Sequence, residues 1–184
     1  AHMTQPASLK IRGSRKITPF LWFNKNCEEA INFYVSIFSS SPTKKAESKI
    51  INIKRYPEGP LEEPMKGMEG KILTAVFELE GERFMALDGG PFFKPTGAVS
   101  FFIECETQKE VDHYWNKLGE GGEPKAQQCG WLQDKYGFSW QVIPSALPRL
   151  LNDPDPEKSN RVLQAMLQMK KIDIAGLQRA YEKK

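Results

Sequence analysis

The sequence predicts an α+β fold of two tandem βαβββ modules followed by two C-terminal helices. Three observations predict it. Short β-branched and aromatic runs are interrupted twice by stretches of helical periodicity. The order of elements then begins again midway along the chain. Beyond residue 145 the alternating pattern gives way to amphipathic helical spacing.

The first module spans 17–90. ITPFLWF (17–23) is β-branched and aromatic and reads as a strand. In the helix that follows, Ala30, Ile31, Phe33, Tyr34 and Ile37 share one face, with Asn26 as N-cap. SSSPTKKAE (39–47) reads as a long surface loop. SKIINIKRY (48–56) alternates as a strand, and KILTAVFELEGERFMALDGG (71–90) reads as a hairpin turning at Gly81. Between them YPEGPLEEPMKGMEG (56–70) is irregular. It reads either as a disordered surface loop or as a lid closing Met65 or Met68 onto an apolar ligand.

The second module spans 97–144. GAVSFFIEC (97–105) is a strand. The next helix sets Val111, Tyr114, Trp115 and Leu118 on one face, with Thr107 and Glu110 as a capping box. A short strand is expected near 123–128, then the hairpin CGWLQ–DKYG–FSWQVIP. EEAINFY (28–34) resembles KEVDHYW (109–115), which supports a duplication.

Residues 145–184 form a helical extension. DPDPEKSNRVLQAMLQMKK (153–171) reads as a helix capped by Asp153 or Asp155. Its stripe is Val162, Ala165, Met166 and Met169, widened by Leu163 and Leu167. IDIAGLQRAYEKK (172–184) reads as a second helix with Asp173 as N-cap and Ile172 stapled to Leu177. Helices this short need burial of their stripes, so the extension is expected to clamp onto the outer surface of the barrel or onto a partner subunit.

Composition narrows the function classes. The chain is 40% hydrophobic and 27% charged, and no apolar run has the length of a membrane span. AHM reads as a cloning scar, and residues 1–16 as that scar plus a flexible basic arm. Lys10, Arg12, Arg15 and Lys16 are unclustered and lack interleaved aromatics, so nucleic acid is not an expected partner, nor is a membrane. The absence of a visible signal peptide makes a cytoplasmic location the expectation. Cys27, Cys105 and Cys129 form no CxxC pair, which fits reduced thiols rather than a zinc knuckle.

Several phrases together resemble one family. They are ITPFLWF, EEAINFY, FMALDGGP, SFFIECET, CGWLQDKYGFSWQVIP and DPDPEKSNRVLQAMLQMKKIDIAGLQRAY, within residues 16–183. The chain resembles the vicinal oxygen chelate superfamily of glyoxalases, bleomycin-resistance proteins and dioxygenases. Within it, the chain looks like the PhnB-like branch, whose members often carry the description 3-demethylubiquinone-9 3-methyltransferase. The resemblance implies sheets curved into a half-open, glyoxalase-like barrel with a ligand on the concave face. It also implies a homodimer with an isologous interface. In the superfamily's enzymes, His and Glu from the first and last strands hold a divalent metal there. This chain aligns Pro19 and Ser100 with the usual His positions, and Met85 and Gln141 with the usual Glu positions. None is a strong ligand for a hard cation, so no metal and no cofactor are expected. His113 lies mid-helix, off the apolar face, and is expected in solvent. S-adenosylmethionine chemistry of the common type needs a glycine-rich strand-to-helix turn, and none is visible.

Strand alternation and the resemblance name the candidate ligand residues Leu21, Phe23, Met85, Ser100, Phe102 and Gln141, and Trp131 joins them as an aromatic that begins a strand near a mouth. Phe20, Trp22, Phe101, Ile103, Trp140 and Val142 are expected under the helices. Trp131 reads as a pocket residue or a rim packing residue. Asp88 and Glu104 are the candidate acid–base carboxylates, Asp88 reading more readily as a turn residue and Glu104 equally as a strand-end residue in water. Three functions stay open at this point. The first is a metal-free small-molecule-binding protein of unknown activity. The second is a glyoxalase-fold enzyme, of lyase, isomerase or dioxygenase type, using carboxylates or a recruited divalent metal. The third is a non-catalytic interaction module with a vestigial cavity.

Overall fold

The computed structural model describes residues 16–183. Of the basic arm, only Lys16 lies among them. The chain divides into two compact units, the first running to residue 40 and through 44–94, the second comprising 41–43 and everything from 95 onward.

The first unit is a four-stranded sheet with one helix on it. Its elements are β1 (Phe20–Phe23), α1 (Cys27–Ser39), β2 (Lys49–Arg55), β3 (Ile72–Leu79) and β4 (Glu82–Asp88), in the spatial order β1-β4-β3-β2. β1 runs parallel to β4, and the other pairs are antiparallel. β3 and β4 join through Glu80 and Gly81, both at positive φ, the backbone a two-residue primed hairpin turn requires. α1 buries Cys27, Ala30, Ile31, Tyr34, Ile37 and Phe38, close to the face read from the sequence.

Asn26 stands at the cap of α1 but makes no side-chain cap bond. The carboxylate of Asp88 takes that role from across the sheet. Its Oδ1 accepts the Cys27 N–H at 2.9 Å and its Oδ2 accepts the Ile72 N–H at 3.0 Å. The Asp88 carbonyl also accepts the Tyr56 hydroxyl at 3.0 Å. The 56–70 segment is held at its base rather than loose. Tyr56 N–H donates to Lys71 O at 2.8 Å, and Leu61 N–H donates to Glu69 at 3.0 Å. Met68 is buried beneath it, while Met65 is exposed.

The second unit contains β5 (Ser100–Cys105), α2 (Gln108–Gly119), β6 (Trp131–Gln133) and β7 (Ser139–Pro144), in the order β5-β7-β6. β5 runs parallel to β7, the same first-to-last pairing as β1 with β4. The expected strand at 123–128 is absent. Pro124–Ala126 forms a 3-10 turn instead, and only Gln128 bridges to Trp131. Pro124 has no N–H for a ladder, and the Glu123 side chain accepts the Lys125 N–H, favouring the turn. Neither sheet closes on itself, and the fold is α+β. Thr107 caps α2 by accepting the Glu110 N–H, whereas Glu110 reaches back to the Glu106 N–H one residue before the cap. His113 sits half-buried, its ring edge-on to Tyr114, rather than in open solvent.

The C-terminal extension folds as three helices, α3 (Ala146–Leu151), α4 (Pro156–Leu167) and α5 (Ile174–Glu182). α3 is additional to the sequence reading. Asp155 caps α4 through the Glu157 N–H, with Pro156 in the first turn. Asp173 occupies the cap position of α5 without a side-chain cap bond. Val162, Ile172 and Leu177 are fully buried with Ile143, Leu147 and Leu150, and Met166 and Met169 pack around them. Leu163 and Leu167 remain exposed, so the buried stripe is narrower than expected. The extension is bonded to the second module. Cys129 N–H and Gly130 N–H donate to Met169 O and Lys170 O, and Gln108 bonds both Ile172 and Ile174.

Leu177→Ala should cost about 2–5 kcal/mol, because its cavity opens in a fully buried cluster. Truncation after Ser145 should lower both melting temperature and solubility by exposing Ile143 and Gly130. Circular-dichroism melts and centrifugation check both.

A pH dependence is written into the same extension. The Tyr181 hydroxyl donates to Asp153 at 2.7 Å. That bond, aided by the Asp155 N–H, holds the Asp153 carboxyl below its usual range, and the same bond raises the Tyr181 phenol. The Asp153 contribution is present above the unfolded carboxylate value and is lost as pH falls through the lowered one. The Tyr181 contribution is present below the unfolded phenol value and is lost as pH rises through the raised one. Tyr181→Phe should therefore melt lower than the parent by a constant margin between about pH 5 and 9. The margin should shrink on both sides, as thermal melts across pH would show.

Candidate functional site

Each sheet has one face under its helix and one face turned away. Directly opposite residues on paired strands point to the same side. Asp88 reaches α1, and Phe23 is its partner in register, so Leu21 and Phe23 also lie on the helix-covered face. They are 5% and 3% exposed. The sequence reading placed these two on the open face, and the structure reverses them. The slip is one residue, which inverts a strand completely. Phe20 and Trp22 stand on the open face instead, opposite Met85 and Leu87. Met85 lies on that open face and is half-buried. A signal for the true register lay in Gly89. A Cβ there would meet the Trp22 ring at 2.2 Å, and the indole N–H bonds Gly90 O at 2.9 Å. The Asp-Gly-Gly run thus marks where an indole crosses the chain.

In the second unit the expected faces hold. Ile103, Trp140 and Val142 are buried on the α2 side, and Phe101, on the same side, is half-buried. Trp140 is anchored as well as buried. Asp134, 2% exposed, accepts the Tyr136 and Phe138 N–H groups on Oδ1 and the Trp140 indole N–H on Oδ2 at 2.9 Å. That arrangement shapes the DKYG turn and holds the hairpin.

The opposite face brings four sequence candidates together. Phe102 is the register partner of Gln141, and Gln141 is also the partner of Trp131. The Gln141 Nε2 donates to Ser100 Oγ at 2.9 Å. Phe102 is 56% exposed and Trp131 38%. Gln133, not singled out from the sequence, lines the same face and donates to Gly137 O at 3.2 Å. Glu104 stands exposed on this face, beside Ile143 in register. The C-terminal helices cover Ile143 and leave Phe102 and Trp131 open.

Asp88 is different. It is 1% exposed and both carboxylate oxygens accept backbone N–H groups, so it is a frame residue rather than an available base or a turn former. It forms part of the wall of an open cleft of about 540 Å³ that sequence reasoning did not find. The cleft lies against the start of α1, lined chiefly by Lys25, Glu28, Arg55, Glu69 and Lys71. Arg55 is already paired to Glu28, and backbone bonds, first that of Leu61, hold the Glu69 carboxyl low. Mixed charge leaves the cleft without a dominant sign.

Two of the thiols are buried. Burial pushes the Cys27 and Cys105 thiols far above their ordinary value, with nearby carboxylates adding to it. Among the described residues no three His, Cys, Asp or Glu side chains gather into a metal-binding group. The strand-to-helix turns, Asn24–Asn26 and Glu106–Thr107, contain no glycine. They do not fit the glycine-rich cradle that the common type of S-adenosylmethionine site requires.

Comparison with known proteins decides the family. The description 3-demethylubiquinone-9 3-methyltransferase matches residues 15–143. The chain belongs to this PhnB-like family. A solved Bacillus cereus structure, titled PhnB protein and given the same methyltransferase description, is 39% identical to it. The likeness covers 71% of this chain and all of that one, with a TM-score of 0.57. A Pseudomonas aeruginosa protein, 24% identical over 71% of this chain and 98% of its own, shares the fold with a TM-score of 0.53. Among curated proteins none matches. The PhnB-like assignment makes the fold glyoxalase-like, with the second sheet one strand short.

In this PhnB-like chain Pro19 offers no donor, Met85 is a soft thioether, and Ser100 and Gln141 are bonded to each other. After dialysis, elemental analysis should find no stoichiometric zinc, nickel or manganese.

Proposed function

We propose that this PhnB-like protein binds a small molecule on the open face of β5, β7 and β6, without metal at the superfamily's usual positions. The observation that carries the reading is Gln141, bonded to Ser100 and flanked in register by two exposed aromatic rings. Large exposed apolar groups beside oriented polar groups are what a ligand site needs and a plain solvent face avoids. The family description names a methyl transfer, but the residues here supply no support for that cofactor, and no reaction is assigned from the name.

A second reading keeps catalysis open. Glu104 is an exposed carboxylate on the same face and is the remaining acid–base candidate once Asp88 is fixed in the frame. If a turnover is found, Glu104→Gln should reduce kcat at least tenfold while binding persists.

The direct test is a thermal-shift screen of small molecules, with and without divalent cations. A true ligand should raise the melting temperature in a dose-dependent way, and Gln141→Leu should diminish the rise. A rise undiminished in Gln141→Leu, Phe102→Ala and Trp131→Ala alike would place the ligand elsewhere. We also propose a cytoplasmic homodimer with an isologous interface, supported by the family resemblance and by sheets that keep open edges. No helix of the described residues is long and apolar enough to cross a membrane. Light scattering at tens of micromolar should give twice the chain mass, and a single chain mass would contradict the dimer.

A further inference from the structure

One cross-strand row on the open face of the second sheet has an unusual composition. Phe102 on β5, Gln141 on β7 and Trp131 on β6 are direct neighbours in register. The row reads aromatic, amide, aromatic. Strands lie about 4.8 Å apart, so the two rings rise from backbones roughly 10 Å apart with the amide between them. A ligand ring centred over the amide would lie about 5 Å from each, within the range where aromatic pairs attract.

Both rings are available. Phe102 is 56% exposed, Trp131 is 38% exposed, and neither contacts another ring among the described residues. The amide is partly committed. One N–H of its Nε2 goes to Ser100 Oγ, which orients the amide, while its Oε1 accepts no hydrogen bond from the described residues. An aliphatic surface laid on this row would bury that acceptor unpaired, which is costly. A ring carrying its own donor would satisfy it.

From this we infer that the row binds a planar aromatic or heteroaromatic small molecule bearing an N–H or O–H donor, held flat between Phe102 and Trp131 and donating to Gln141 Oε1. This rests on the reading of the face as a ligand site and adds the chemical class. Trp131 is set by the extension as well as by its strand. The preceding Cys129 and Gly130 N–H groups bond Met169 and Lys170, and Gly130 O accepts the Val142 N–H at 2.7 Å. The ligand row is therefore built on a fixed base.

The test uses the full chain labelled with nitrogen-15 and three related probes: 1-naphthol, 1-methoxynaphthalene and decahydro-1-naphthol. The first is planar with a donor, the second planar without one, and the third has the donor without planarity. The Gln141 side-chain amide and the Trp131 indole N–H report binding. 1-Naphthol should move both signals, and the other two should bind roughly three- to tenfold more weakly. Trp131→Ala or Phe102→Ala should weaken 1-naphthol by a similar factor. Gln141→Leu should erase the preference for 1-naphthol over its methyl ether. Melts of the three variants should match the parent, since the substituted side chains leave the helix-covered core intact.

Equal binding of the saturated probe, or a donor preference that survives Gln141→Leu, overturns the ligand class and leaves the site standing. If no compound from the thermal-shift screen moves either signal, the site reading itself falls and this inference with it. Broadening of both signals with protein concentration alone would show a second copy covering the row, and would also overturn the inference.

Discussion

A carboxylate removed from water must have its oxygens occupied, and each unit of this protein is arranged around one such group. Burying an unpartnered carboxylate is far more costly than any single contact is worth. Asp88 meets that demand by tying the first residue of α1 to the first residue of β3, while its own carbonyl receives Tyr56. Asp134 meets it by closing the turn between β6 and β7 and holding the Trp140 indole. In both units the position of the helix-covered core follows from these bonds. The opposite faces are then left free for other work.

This division explains why similar residue types have different fates. Trp140 and Trp131 lie in the same hairpin, nine residues apart in sequence, yet one is core and the other exposed. The difference is strand parity together with the Asp134 acceptor. Phe101 and Phe102 take opposite sides of β5 in the same way, Phe101 half-buried beside Trp140 and Phe102 exposed. The open face can therefore change composition without disturbing the core, which suits a fold that hosts many chemistries.

Much of this was legible in the sequence. The period-2 runs, the helical stripe of Val111, Tyr114, Trp115 and Leu118, and the positive-φ demand at Gly81 each specified an element. Of the four residues grouped on the second sheet, Ser100 and Gln141 came from alignment with the superfamily's ligand positions, Phe102 from alternation with Ser100, and Trp131 from its place at the start of a strand. The first strand failed for a physical reason. ITPFLWF is apolar on both faces, so alternation alone does not say which face is covered, and a one-residue slip exchanged Leu21 and Phe23 for Phe20 and Trp22. Asp88 failed because its partners are backbone N–H groups 61 and 16 residues away, and no local pattern announces them. The missing strand at 123–128 was announced by Pro124 and outweighed by the expected repeat.

The measurement that bears most directly on this account is the urea unfolding of Asp88→Asn. The substitution keeps the shape but turns one acceptor into an NH2 group facing a backbone N–H. If Asp88 is the frame of the first unit, unfolding free energy should fall by about 3 kcal/mol. Binding at the second sheet's open face should meanwhile keep its affinity in the folded protein. A variant as stable as the parent, with binding or turnover lost, would contradict the account and return Asp88 to the chemistry.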